Sequence, residues 1–187
     1  MKYSFPAFEN GFIRAAAASP ALRVADCAYN ADQIIGVMRE YAEKNVQLLC
    51  LPEFTLTGYT CSDLFWQSQM IDAAKEGLKE IADGTKGTDA LIFVGLPWEQ
   101  GGKLFNVAAV LCHGELLGVV PKKYLPNYNE FYEARHFVSG AELATEVVLP
   151  DGSSVPAGRD LLFVCEQMPK LRIGVELCCL LYTSDAA

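Results

Sequence analysis

Three side chains able to take part in bond cleavage each follow an apolar run of strand length. Glu53 comes after Val46 to Leu51 and Pro52, Lys122 after Val119-Val120-Pro121, and Cys178 after Ile173 to Leu177. They stand 69 and then 56 residues apart, so only a folded chain can bring them together. A carboxylate, an ammonium and a thiol are the parts of a nucleophilic hydrolase. The carboxylate removes the thiol proton, the thiolate attacks a carbonyl carbon, and the ammonium holds the charge that develops on oxygen. Taken singly, each has an ordinary reading: a solvated carboxylate, a surface lysine and a small buried hydrophobe. Their shared position sets them apart, because the strand ends of an α/β sheet are where active sites gather.

Other chemistries find little support in the 187 residues. There is no G-x-S-x-G, no G-x-x-x-x-G-K-[ST], no G-x-G-x-x-G and no H-E-x-x-H. The only histidines, His113 and His136, do not stand at ligand spacing from a cysteine or from each other, so no metal site is expected. Seven cysteines, an odd number with no C-x-x-C pair, read as reduced thiols. Fifteen basic against 23 acidic residues give a net charge of -8, with no Lys/Arg-rich run to bind nucleic acid or an anionic membrane. No stretch approaches the roughly 18 apolar residues of a membrane span, and the first residues do not have the make-up of a secretory signal. The expectation is a cytoplasmic protein.

The elements that must position the three residues can be read from apolar periodicity. Phe12 to Ala18 reads as a strand, and from Asn30 to Asn45 the residues Ile34, Ile35, Met38, Tyr41 and Ala42 recur at helical spacing. Val46 to Leu51 is a buried strand closed by Pro52. A second helix spans about Met70 to Ala82, and Ala90 to Gly95 forms the next strand. Asn106 to Cys112 and Glu115 to Val120 form a hairpin across His113-Gly114. Asp151-Gly152 marks a turn after Val147 to Leu149, and Leu161 to Cys165 and Leu171 to Leu177 read as two last strands. Strands alternating with helices argue for the α/β class in a single domain.

Four segments carry a resemblance. Leu51-Pro52-Glu53-Phe54-Thr55-Leu56-Thr57-Gly58-Tyr59, Pro121-Lys122-Lys123-Tyr124-Leu125-Pro126-Asn127-Tyr128, Glu130-Phe131-Tyr132-Glu133-Ala134-Arg135-His136-Phe137 and Arg172 to Cys178 resemble the nitrilase, or carbon-nitrogen hydrolase, superfamily. Within it they are similar to the N-terminal glutaminase domain of bacterial glutamine-dependent NAD synthetases. The resemblance implies a nitrilase-like α-β-β-α sandwich with a catalytic Glu53-Lys122-Cys178 triad. Lys122 is preferred to Lys123 because it holds the K-x-x-L position before Leu125. Glu133 falls on the family's additional glutamate, and Tyr59 and Tyr128 on aromatic positions of the glutamine pocket and ammonia passage.

The reaction so implied is hydrolysis of the glutamine amide, with ammonia passed to an ATP-dependent synthetase domain that converts deamido-NAD to NAD. The glutaminase half needs no cofactor; ATP and magnesium are implied only for the synthetase domain, which these residues do not contain. The resemblance also implies a homo-oligomer. After Cys178 the family pattern gives way to Cys179-Leu180-Leu181-Tyr182-Thr183-Ser184-Asp185-Ala186-Ala187, which reads as an adapter-derived tail. The expectation is therefore a C-terminally truncated domain over 1–178, inactive by itself, with a non-native 179–187. Two other readings stay open: a free-standing amidase or carbamoylase of the same superfamily, and a non-catalytic α/β binding module.

Overall fold

The computed structural model describes residues 11–178. Three strands, β1 (Ala15–Ala17), β2 (Leu48–Cys50) and β3 (Leu91–Gln100), run parallel, linked by α1 (Cys27–Glu43) and α2 (Ser68–Gly84). β4 (Lys103–Cys112) and β5 (Glu115–Pro121) then fold back antiparallel, and the five strands lie in sequence order in one sheet. The β4–β5 turn is the two-residue one read from the sequence, with His113 and Gly114 both at positive φ.

The sheet is covered on both sides, which is why β4 is buried without interruption from Leu104 to Leu111 instead of alternating. On one face α1 and α2 present Ile34, Met38, Ile71, Leu78 and Ile81 to Leu49, Val94, Leu96, Val107 and Ala109. On the other, Phe93, Ala108, Val110 and Val120 meet Leu177, flanked by Phe163, Ile173 and Val175. The last residues belong to a ribbon made by β8 (Phe163–Val164) and β9 (Arg172–Ile173). A second ribbon, β6 (Glu146–Val148) with β7 (Ser154–Pro156), turns at Asp151-Gly152 and sits beside β5 through a bridge between Val119 and Ala157. Helices, sheet and ribbon are three successive layers of the α-β-β-α arrangement. A second helical layer is not found among the described residues.

Several boundaries differ from the sequence reading. Helix α1 begins at Cys27, before Asn30, because Asp26 caps it by accepting the Tyr29 N–H. Asn30 is instead a buried tie: its amide donates to the carbonyls of Arg23 and Leu56 at 2.8 and 3.0 Å. Strands β8 and β9 are two residues each, so Cys178 does not sit at the end of a strand. Residues 174–177 still alternate between exposed and covered, but they make no ladder pairing. The tail read as 179–187 lies outside the described residues.

Candidate active site

Glu53 owes its position to a turn laid across β3. The Leu51 N–H still bonds to Phe93 O, as in a parallel ladder, but Pro52 has no N–H with which to continue it. The chain lifts off, passes through Phe54 in the left-handed region (φ 52°), and returns when Leu56 N–H reaches Gly95 O at 3.1 Å. A β-carbon on Gly95 would lie 2.5 Å from the Phe54 nitrogen and 2.8 Å from the Pro52 carbonyl oxygen. Glycine is thus required under the turn. Phe54 is buried against Phe65 and Phe137, each ring at 5.1 Å, and this packing supports the uncommon backbone.

Lys122 follows β5, and its N–H extends the ladder to Asn106 O at 2.8 Å. Its side chain is completely buried, with Nζ 2.7 Å from Glu53 Oε1 and 2.7 Å from Glu133 Oε1. Glu133 opens a short 3-10 helix, Glu133–Arg135, and is itself buried. Its Oε1 also accepts the Tyr59 hydroxyl at 2.8 Å. Asn106, from β4, donates through Nδ2 to Glu53 Oε1 at 2.6 Å and to Glu133 Oε2 at 3.4 Å. One ammonium against two carboxylates gives this cluster a formal charge of -1.

The electrostatics follow from that arrangement. Burial works against the ammonium of Lys122, but its hydrogen bonds to Glu133 and Glu53 outweigh burial and hold its pKa above the ordinary lysine value. Lys122 is therefore a fixed positive charge, not a proton donor. Tyr59 is pushed well above the usual phenol range, first by burial, then by its bond to Glu133 and by the charges of Glu133, Glu53 and Cys178. It stays a neutral donor. Cys178 is the weakest of the influences on Tyr59. Cys178 is exposed and has φ 56°, a conformation that residues other than glycine seldom adopt.

Four of the six residues singled out from the sequence, Glu53, Lys122, Glu133 and Tyr59, form one hydrogen-bonded group, and Cys178 acts electrostatically on it. Tyr128 stands apart: it is 59% exposed and its ring meets Phe131 at 5.8 Å. A cavity of about 260 Å³ opens onto the group, lined by Tyr59, Phe65, Phe131, Tyr132 and Glu133. A larger one, about 320 Å³, lies beside Asp89, Cys112 and His113 at the opposite end of β3 and contains none of these residues. Sequence reading missed Asn106, whose only signal was an amide at the head of an apolar strand. It also missed the link between the two loops over the cavity, where Arg135 grips Asp63 through Nε and Nη2 at 2.9 and 3.0 Å and His136 Nε2 meets Asp63 Oδ1 at 3.0 Å. No cluster of metal-ligating side chains is found among the described residues.

The sequence pattern that defines the carbon-nitrogen hydrolases matches residues 14–179. The chain belongs to the carbon-nitrogen hydrolase family. Among curated relatives, the glutamine-dependent NAD(+) synthetase of Mycobacterium tuberculosis is 34% identical over 175 residues, which is 93% of this carbon-nitrogen hydrolase and 26% of that protein. The crystal structure of a glutamine-dependent NAD(+) synthetase from Cytophaga hutchinsonii superposes with a TM-score of 0.78 at 30% identity, over 87% of this chain and 27% of that one. An amidase from Nesterenkonia sp. gives a TM-score of 0.58 at 26% identity, over 76% and 53% of the two chains. This carbon-nitrogen hydrolase therefore has the nitrilase-type fold, and it spans about a quarter of the length of the synthetases it matches. No helix among the described residues is long and apolar enough to cross a membrane.

Proposed function

We propose that the chain is the glutaminase part of a glutamine-dependent NAD synthetase, hydrolysing the side-chain amide of glutamine at Cys178. Its ammonia would serve an ATP-dependent synthetase domain of the same protein, which converts deamido-NAD to NAD. The observation that carries this reading is the buried Lys122 ammonium held 2.7 Å from both Glu53 and Glu133, with Glu133 and its partner Tyr59 lining an aromatic cavity. The similarity to a synthetase over 93% of the chain supports the choice of glutamine.

In this mechanism Glu53 takes the thiol proton and the thiolate attacks the carboxamide carbon. The charge that gathers on the carbonyl oxygen is met by the Lys122 ammonium. Glu53 returns its proton to the departing nitrogen, the C–N bond breaks, and ammonia leaves a thioester on Cys178. Water, activated by Glu53, releases glutamate and restores the thiol. Glu133 and Tyr59 keep Lys122 aimed, and the aromatic cavity receives the substrate. This half requires no cofactor, while ATP and magnesium serve the synthetase domain. The protein works in the cytoplasm as a homo-oligomer.

The test is ammonia release by the protein joined to its synthetase domain, with glutamine, asparagine and acetamide as substrates. Glutamine is expected to be preferred over asparagine, with acetamide slowest. Equal rates on acetamide and glutamine would point to a free-standing amidase.

A further inference from the structure

Asn106 is a buried amide for which the reaction as written above has no use. It is 1% exposed, on the face of β4 that carries Ala108 and Val110, and its backbone carbonyl receives the Lys122 N–H. Its Nδ2 reaches both carboxylates, but its Oδ1 is buried and accepts no hydrogen bond among the described residues. A buried acceptor left empty is unfavourable, and native structures seldom keep one without a reason. Turning the amide over would not relieve it, because the oxygen would then face Glu53 and Glu133. An apolar residue of similar size would remove the orphan altogether. The donor is therefore the part of the side chain that is needed.

The oxygen it chooses gives the need a chemical meaning. Asn106 Nδ2 and Lys122 Nζ both donate to Glu53 Oε1, at 2.6 and 2.7 Å. With two donors on Oε1, the lone pairs of Oε2 remain for a proton. We propose that Asn106 is a positioning residue that, together with Lys122, commits Oε1 of Glu53 to structure and makes Oε2 the proton-accepting atom of the site. The thiol proton of Cys178 moves to Oε2, and the same atom later gives it to the leaving nitrogen. The amide also stabilises the ionised carboxylate, the form that can act as a base. This deepens the function proposed above and rests on it.

The groups bonded to Glu53 are Lys122 from the end of β5 and Asn106 from β4; Glu133, from its 3-10 helix, shares the Lys122 ammonium, and Tyr59, from the loop after β2, bonds to Glu133. Removing the Asn106 donor leaves the others in place and frees a lone pair of Oε1, so the carboxylate is no longer held with Oε2 toward the thiol. In the protein joined to its synthetase domain, Asn106→Leu is expected to lower kcat for glutamine hydrolysis by about 10- to 100-fold with KM within about twofold. Asn106→Ala removes the amide donor without placing a new oxygen against Glu53 and Glu133 and should show the same losses. It carries the test if Asn106→Leu fails to fold.

Alkylation of Cys178 by iodoacetamide supplies a readout that needs no substrate, and it should slow in both variants at neutral pH. A wild-type protein that does not hydrolyse glutamine, but whose Cys178 labelling slows in the variants, would sink the functional reading and leave the role of Asn106 standing. A folded Asn106→Leu or Asn106→Ala variant with wild-type labelling rate and wild-type kcat would overturn the role itself.

Discussion

Lys122 shows most directly what a single residue does in this molecule. A fully buried ammonium is unfavourable unless it is paired, and here its pairing is also what holds two carboxylates side by side. Lys122→Met would leave Glu53 and Glu133 facing each other without a cation, and should destabilise the fold by about 3–5 kcal/mol as well as stop turnover. Glu53→Gln keeps the shape, and its amide oxygen can still accept from Lys122, but it cannot take a proton. It should melt close to wild type in urea while ammonia release disappears. A Glu53→Gln protein that kept most of its activity would show that another group is the base. Glu53 and Lys122 were legible in the sequence because short motifs surround them. Asn106 was not, because nothing in a linear sequence says that this amide faces the carboxylates held by Lys122, 16 positions further on.

Elements set the distances that those residues need. The turn carrying Glu53 can lie on β3 only because Gly95 has no side chain, and the atoms a β-carbon would strike are backbone atoms that cannot rotate away. Gly95→Ala should therefore lose about 1–3 kcal/mol of stability, and its loss of turnover should exceed what the unfolded fraction explains, because the turn shifts as a unit. Over the cavity, Asp63 joins the loop after β2 to the loop carrying Glu133. Its bonds to Arg135 and then to His136 hold its pKa down at about 2. The sign follows from linkage: the contribution is present above the unfolded carboxylate value near 4 and is lost as pH falls through about 2. The gap in melting temperature between wild type and Asp63→Asn should then close as pH falls from about 4 toward 2; a gap that widened over that range would contradict the assignment. Helices and the β4–β5 hairpin were legible because apolar period and turn residues agree there. β8 and β9 shrank because apolar residues at 161–165 and 171–177 specify coverage by the sheet, and coverage alone does not supply a partner for every backbone N–H.

At the scale of the whole molecule, the site joins two parts of unequal cohesion. Asn106 belongs to, and Glu53 and Lys122 are held against, a sheet in which β3 and β4 share nine paired positions and whose core residues are buried on both faces. Cys178 arrives from a ribbon with two paired positions, anchored to that sheet through Leu177, Ile173, Val175 and Phe163. Local opening follows the weaker set of contacts, since a segment with few ladder bonds and half-exposed side chains separates at lower free energy than the core. Hydrogen exchange should then show Val94, Val107 and Ala109 exchanging only on global unfolding, and Cys165 and Leu171 exchanging through a smaller opening that leaves the sheet intact. The two parts meet at the thiol, so a covalent adduct of an electrophilic glutamine analogue on Cys178 would touch both and bind only the closed arrangement. Exchange across 161–177 should slow on modification while that of β3 and β4 stays unchanged. Equal protection of ribbon and sheet before modification would mean that the nucleophile is held as firmly as its base, and that the weaker ribbon plays no part in assembling the site.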